Sequence, residues 1–222
     1  MNSDPASTPT MRRCGTRYVE TRRRQSPNLT VRRYNQPMTV TTSFRRMDEG
    51  TREDWMHIVA EHGKNADRVP KRIIGMLESL GEIVDGFATD QLTHCLQTAT
   101  MAEKAGADEE MIVASLCHDI GKAVTVTNHG AIAAEILKGY VRPDVYNTIK
   151  YHQDFQGQHY YEFLGLDPNA REQYRGEPWF DLCAQFADDW DQAAFDPDGE
   201  TYPLDHFIPM INRVFTHGAL AG

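Results

Sequence analysis

The chain is poor in the features that mark secreted, disulfide-stapled and membrane-spanning proteins. No two cysteines form a CxxC pair, and only four occur in 222 residues: Cys14, Cys95, Cys117 and Cys183. No apolar run approaches the roughly 20 residues that a membrane helix needs. A twin arginine at residues 12–13 is followed by no hydrophobic segment. These absences predict a cytoplasmic protein with reduced thiols and no membrane partner.

Positive charge is scarce outside the N-terminal stretch. Residues 1–37 hold eight arginines against Asp4 and Glu20, about +6, so a net charge of -9 leaves about -15 on the rest. An acidic body argues against a nucleic-acid-binding surface. Residues 1–37 also lack the apolar side chains that a core needs. We predict a disordered basic tail over 1–37 and a single helical domain over 38–222. A targeting peptide, or a natural start near Met38, is the alternative explanation of the tail.

Alternating strand patterns and internal repeats are also missing, whereas helical signals recur from Thr51 onward. Thr51 and Asp54 have the spacing of an N-cap residue and a carboxylate in the first turn of a helix. Apolar residues then follow at helical spacing. The sequence therefore predicts an all-α fold. The later helices are predicted over about Val69–Leu80, Asp90–Ala105, Asp108–Asp119, Gly130–Lys138, Pro143–His152 and Glu177–Phe195, with a last one from Leu204.

The sharpest local feature is the run CHDIGK over residues 117–122, at the end of an apolar helix. Neighbouring side chains on a helix diverge by about 100°, so His118 and Asp119 should not grip one ion from the same direction. A carboxylate has two oxygens, so Asp119 can bridge two ions while His118 binds one of them. His94 lies 24 residues before His118, on the preceding predicted helix. Packing of two consecutive helices can bring these side chains together.

Further metal-ligand types follow in polar and aromatic surroundings. His129 lies in the run NHG, His152 in the run YHQDF, and residues 188–191 read DDWD. Imidazole and carboxylate ligands suit iron, manganese, zinc or cobalt and exclude a thiolate site. On counting alone, Asp188, Asp189 and Asp191 are equal candidates for a late carboxylate ligand.

His94, the pair His118-Asp119 and a later Asp resemble the H…HD…D pattern of the HD superfamily. The resemblance implies an HD-domain helical bundle with a metal site in its core, and metal-dependent chemistry that is most often phosphate-ester hydrolysis. With two further histidines, His129 and His152, the chain resembles the dinuclear branch of this superfamily. Within that branch the chain is similar to myo-inositol oxygenase and to the phosphonate-cleaving HD oxygenases. The stretches HCLQTA, HDIGK, IKYHQDFQGQHY, and EPWF followed by WD, resemble the inositol enzyme in order and approximate spacing, over about residues 85–195.

This resemblance implies a set of site residues. Asp119 would bridge the ions, and Asp191 is preferred to Asp188 because Trp190-Asp191 matches the aromatic-Asp step of the oxygenases. Lys122 falls at a position that contacts substrate in the inositol enzyme. The six implied ligands are His94, His118, Asp119, His129, His152 and Asp191.

Two further residues are candidates for substrate binding. Lys150 lies two residues before His152 and could attract an anionic group, although a solvated lysine is the alternative. His159 lies seven residues after His152 and could bind substrate, with a packed aromatic cluster as the alternative. Only nine residues separate Asp119 from His129, far fewer than in the inositol enzyme, so the substrate itself stays open.

Together these residues predict an enzyme with a mixed-valence Fe(II)/Fe(III) pair. It would use O2 to cleave a C–C or C–P bond in a small hydroxylated substrate, with Asp119 and Lys122 as catalytic residues. The alternative is a phosphohydrolase with manganese, zinc or cobalt that acts on a phosphate ester or nucleotide. Ligand types alone permit both reactions.

Overall fold

The computed structural model describes residues 41–217, apart from the side chains of Ala66 and His217. In this range the regular structure is helical, with eight α-helices and no β-strand beyond one isolated bridge between Lys138 and Val141. The predicted all-α fold is therefore confirmed. The chain divides into units at residues 1–45 and 46–222. The predicted tail over 1–37 lies outside the described residues, and the domain boundary at 38 stays a prediction.

Connections of at most 11 residues join the helices up to α6, and longer segments precede α7 and α8. Three short 3₁₀ turns lie between α6 and α7, and α7 continues into a π-helical turn over Phe186–Asp191. The helices are α1 (Arg52–Ala66), α2 (Val69–Ser79), α3 (Gln91–Lys104), α4 (Glu109–Cys117), α5 (His129–Leu137), α6 (Pro143–Gln156), α7 (Phe180–Gln185) and α8 (Leu204–His217).

Local signals in the sequence set several helix starts. Thr51 and Asp54 form a reciprocal capping box at the start of α1. The side chains of Asp90 and Asp108 accept hydrogen bonds from backbone N–H groups at the starts of α3 and α4. Pro143 opens α6, where its missing N–H costs nothing. Each such cap stabilises its helix by about 1 kcal/mol, which explains why these starts could be predicted.

Helix α4 is the central element, because every residue from Met111 to Cys117 is buried. A helix that is apolar all round must be surrounded by other elements, and α3, α6 and α8 pack against it. The chain leaves α4 at Cys117, inside the bundle. His118 and Asp119 therefore emerge in the middle of the protein, where both are buried.

Two glycines allow the elements around this point to approach closely. A Cβ atom on Gly121 would lie 2.3 Å from the carbonyl oxygen of His129, and one on Gly130 would lie 2.9 Å from Cε1 of His152. Neither position has room for a side chain. The turn after α4, the start of α5 and the middle of α6 are thereby brought into direct contact.

Candidate metal centre

Four buried histidines are oriented by the backbone in the same way. Each Nδ1 lies at hydrogen-bond distance from a backbone carbonyl oxygen. Since a carbonyl oxygen only accepts, each Nδ1 carries a proton, and in the neutral imidazole each Nε2 then presents a lone pair. This is the arrangement expected of imidazoles that bind metal. The pairs are His94 with Ala194 at 3.0 Å, His118 with Ser115 at 2.8 Å, His129 with Val126 at 2.8 Å, and His152 with Ile149 at 2.7 Å.

The first group of converging donors consists of His94, His118 and Asp191. The two Nε2 atoms are 3.0 Å apart, and Oδ1 of Asp191 lies 3.1 Å from His94 Nε2 and 3.3 Å from His118 Nε2. Burial opposes a proton on His118, but Asp119 and Asp191 outweigh it and raise the pKa of His118 well above its usual range. The group is therefore built to hold a cation, whether a proton or a metal ion.

The second group consists of His129, His152 and Asp119. Nε2 of His129 lies 3.3 Å from Nε2 of His152 and 2.8 Å from Oδ1 of Asp119. The same oxygen lies 3.8 Å from Nε2 of His152. Burial lowers the pKa of His152 to about 4, so its imidazole is neutral at physiological pH and its Nε2 lone pair is available to a metal ion.

Asp119 belongs to the second group and also faces the first. Its Oδ1 is directed to the second group, whereas its Oδ2 lies 3.5 Å from His94 Nε2 and 3.4 Å from His118 Nε2. The ligand atoms of one set of three residues lie close enough together to bind one ion, and so do those of a second set. The sets are His94, His118 and Asp191, and His118, Asp119 and His152. The two carboxylate oxygens of Asp119 thus face different histidines, with Oδ1 nearest His129 and Oδ2 near His94 and His118.

Several carboxylate oxygens of the centre have no hydrogen-bond partner. Among the described residues, Oδ1 of Asp119 and both carboxylate oxygens of Asp191 are buried and unsatisfied. Burial opposes ionisation, but His118 outweighs it and lowers the pKa of both Asp119 and Asp191 well below the usual range. Ionised buried oxygens without donors are costly unless a cation compensates them. Four imidazoles and two carboxylates fit iron, manganese, zinc or cobalt.

The π-helical turn over Phe186–Asp191 directs Asp191 into the centre. Its hydrogen bond from the N–H of Gln192 to the carbonyl of Ala187 spans five residues at 3.2 Å, which adds a residue to the turn. Asp191 is fully buried, whereas Asp188 forms an ion pair with Arg171. The late helix predicted over about Glu177–Phe195 is present but shorter, because α7 begins at Phe180, changes its winding at Phe186 and ends as a π-helical turn at Asp191.

The described cysteines do not supply ligands. Cys95, Cys117 and Cys183 are free and buried, and burial raises the pKa of the Cys95 thiol. A thiol that stays protonated is a poor metal ligand. Cys14 lies outside the described residues.

A cavity of about 670 Å³ opens next to the second group. The ammonium group of Lys122 lies in its wall, 2.6 Å from Oδ2 of Asp119 and 2.8 Å from Oε1 of Gln91. His159, the predicted substrate-binding residue, also lines the cavity. The lining residues are Asp85, Phe87, Asp119, Lys122, Val126, His129, Gln153, Gln156, His159, Tyr160, Gln192 and Phe195.

Lys150 lies outside this lining. Its ammonium group is 5.7 Å from the centre of the Tyr146 ring and 5.1 Å from that of Tyr151. Two residues along a helix correspond to a rotation of about 200°, so Lys150 and His152 leave α6 on nearly opposite faces. The structure therefore gives Lys150 no contact with the cavity.

Several lining residues escaped the sequence reasoning. Gln156 follows His152 at a spacing of four residues, a signal of a shared helix face that could have identified it. Phe195 carried no such signal, yet its ring stacks on His94 at 4.1 Å, and Phe87 stacks on Phe195 at 4.5 Å. Phe87 and Phe195 are 108 positions apart, so only the fold brings them together.

Comparison with known proteins identifies the part of the chain that carries the centre. Residues 92–196 match the family model for the HD domain, and all six predicted ligands lie in this range. The expected all-α HD bundle is thereby confirmed. An HD domain implies a metal-dependent, phosphohydrolase-like superfamily and an enzyme, usually a hydrolase. No curated protein matches the sequence. In the part of the chain that the structure describes, no helix is long and apolar enough to cross a membrane.

Proposed function

We propose, from the resemblance to the HD oxygenases and the geometry of the centre, that the protein is a diiron oxygenase. It would use O2 to cleave a C–C or C–P bond in a small hydroxylated substrate. The observation that carries the proposal is the position of Asp119, with one oxygen 2.8 Å from His129 Nε2 and the other 3.4 Å from His118 Nε2. A mononuclear hydrolase needs neither a bridging carboxylate nor a second histidine pair.

The two proposed ion positions differ in their protein donors. The first has His94, His118 and Asp191, with Oδ2 of Asp119 as a fourth. The second has His129, His152 and Oδ1 of Asp119. Asp119 and His129 line the cavity, whereas His94 and His118 do not. We therefore expect open coordination positions at the second ion, on the side where a substrate can enter. A bound mixed-valence iron pair would supply the redox chemistry with O2 that these side chains lack.

Lys122 is suited to act on a substrate at that position. Its ammonium group has three N–H donors, and Asp119 and Gln91 accept at 2.6 and 2.8 Å. The remaining donor is available to an oxygen atom in the cavity that Lys122 lines. We propose that Lys122 orients a substrate hydroxyl group next to Asp119 and stabilises negative charge that develops on it.

The other cavity walls suit a hydroxylated molecule. The amides of Gln153, Gln156 and Gln192 and the phenol of Tyr160 line the cavity, and each can both donate and accept a hydrogen bond. Burial raises the pKa of Tyr160 to about 12, which keeps its hydroxyl protonated. His159 adds an imidazole at the same wall. Such groups match the hydroxyl pattern of a small polar substrate.

A hydrolytic reaction is the second candidate, and the match to the HD domain favours it. Manganese, zinc or cobalt held by the same donors would lower the pKa of a bound water and polarise a phosphate ester. The donor set fits these ions as well as it fits iron.

Metal analysis, EPR and two activity assays separate the candidates. For an oxygenase we expect two iron ions per chain, a mixed-valence EPR signal, and O2 consumption with a panel of polyols and hydroxyphosphonates. His118→Ala should abolish the signal. His206→Ala is the matched control, because His206 pairs with Glu103 at 2.8 Å, away from the centre. Manganese or zinc in the purified protein, with phosphatase activity and no O2 uptake, would refute the oxygenase.

A further inference from the structure

Among the described residues that line the cavity, no side chain offers an unpaired positive charge to an anionic substrate, so the proposed metal ions would be its only cationic partners there. Among the described lining residues, Asp85 and Asp119 are acids, Lys122 is the base, and no arginine is present. The charge of Lys122 is already paired, since its nitrogen lies 2.6 Å from Asp119. Phosphate and phosphonate groups carry up to two negative charges, and proteins usually bind them with arginine forks. The cavity wall lacks such a fork.

An arginine does lie beside the cavity, but a carboxylate holds it. Nη1 of Arg171 is 3.0 Å from Oδ1 of Asp188 and 2.9 Å from Oδ2. The Arg171 guanidinium group also lies over the ring of Phe155, 5.9 Å from its centre. Both partners are largely shielded from water, with side-chain exposures of 21% and 33%. The pair is therefore less screened than one on the open surface.

Asp188 contacts two residues that line the same cavity. Its carboxylate lies 3.7 Å from Nε2 of His159, and its backbone carbonyl accepts a hydrogen bond from the side chain of Gln192 at 3.0 Å. Both His159 and Gln192 line the cavity. Gln158 donates a further hydrogen bond to the Asp188 carboxylate. Asp188 thus contacts both Arg171 and two of the cavity-lining residues.

We infer that Asp188 is a specificity-determining residue, which holds Arg171 in an ion pair and so makes the cavity select uncharged hydroxylated substrates over phosphorylated ones. This inference rests on the proposed function and deepens it, since it favours C–C over C–P bond cleavage. Without the Asp188 charge, the Arg171 guanidinium would be free to donate hydrogen bonds to an anion at the rim. A phosphorylated substrate is disfavoured in the native protein because it would have to compete with Asp188 for the same donor.

The test measures binding of methylphosphonate to the metal-loaded protein by calorimetry. Asp188→Asn preserves shape and removes the charge, and we expect its Kd for methylphosphonate to fall at least about tenfold below that of the native protein. Asp189→Asn is the matched control, because it removes the same charge from the exposed neighbouring residue. We expect Asp189→Asn to change the Kd less than about threefold. The double variant Asp188→Asn with Arg171→Gln should lose the gain.

Three results would overturn the inference. They are a Kd that does not fall in Asp188→Asn, an equal fall in Asp189→Asn, and a gain that persists without Arg171. Metal content is measured in every variant, and a comparison counts only between proteins with equal loading. Calorimetry does not depend on turnover, so absence of O2 uptake would refute the oxygenase without affecting this result. Conversely, oxygenase activity with no change in phosphonate binding would refute only the role of Asp188.

Discussion

Backbone carbonyl groups orient the individual side chains of the metal centre. For His118, His129 and His152 the carbonyl belongs to a residue three positions earlier, so the local chain fixes the ring. His94 instead donates to Ala194, which is 100 residues away. Its orientation therefore depends on the packing of α3 against the segment that follows Asp191. A fixed Nδ1 proton keeps each Nε2 ready for metal.

Removal of single histidines should distinguish the two ion positions. His129→Ala removes a donor from the second position only, so we expect the metal content to fall from two ions to about one per chain. His118→Ala removes a donor that reaches both Asp119 and Asp191, and we expect it to lose most of both ions. Elemental analysis gives the content, and EPR reports loss of coupling in both variants. Equal loss of both ions in His129→Ala would argue against separate positions.

Two short segments next to the metal centre, the π-helical turn after α7 and the turn after α4, depart from regular α-helix. In the π-helical turn at Phe186–Asp191, Asp191 is buried in the core, whereas Asp188 is partly exposed and pairs with Arg171. A regular helix would place residues three apart on a shared face. The turn after α4 is a 3₁₀ helix over Ile120–Ala123, and its Gly121 lies directly against the backbone at the start of α5.

Gly121→Ala should disturb this contact and with it the metal centre. The added Cβ would meet the backbone of His129 at 2.3 Å, and backbone cannot move aside as a flexible side chain can. We expect a loss of about 1–3 kcal/mol in the free energy of unfolding, measured in urea, with a clear loss of metal.

Gly139→Ala is the control for this prediction. Gly139 has a φ of +82°, so alanine is strained there by roughly 1–2 kcal/mol, yet an added Cβ would meet nothing within 4 Å. Similar destabilisation with full metal content is expected. If Gly121→Ala retained as much metal as Gly139→Ala, the proposed coupling between this turn and the centre would be wrong.

In the molecule as a whole, the buried carboxylates link metal binding to folding. Asp119 and Asp191 are ionised in the core, and three of their oxygens have no hydrogen-bond partner among the described residues. The folded chain binds metal through donors from α3, α5, α6 and the turns after α4 and α7. An unfolded chain cannot assemble these donors, so bound metal stabilises the folded state by mass action.

Chelation should lower the thermal stability, and more so at higher pH. At free metal 100-fold above Kd the stabilisation is about 2.7 kcal/mol, which corresponds to a fall in Tm of roughly 5–10 °C for a chain of this size. The raised pKa of His118 means that its proton stabilises the metal-free fold below about pH 6.5. That contribution is lost as the pH rises through the folded pKa.

The Tm difference between the metal-loaded and chelated proteins should therefore grow from about pH 6 to about pH 8, as measured by differential scanning calorimetry. A difference that shrinks over this range would contradict the assigned competition between proton and metal at His118.

The sequence by itself determined the helical fold, several helix starts and the candidate ligands. Caps and apolar spacing act over a few residues, so Thr51, Asp90 and Asp108 could be recognised without a structure. The family resemblance supplied the choice of ligands, and composition alone left Asp188 and Asp191 equal.

Only the tertiary structure decided which groups meet in the cavity. The stack of Phe87 on Phe195, the exclusion of Lys150 and the pairing of Arg171 with Asp188 join or separate residues by packing between elements. The π-helical turn that separates Asp188 from Asp191 left no local signal in the sequence. Such contacts depend on how whole helices are placed, because short-range preferences constrain the winding of a helix but not its neighbours.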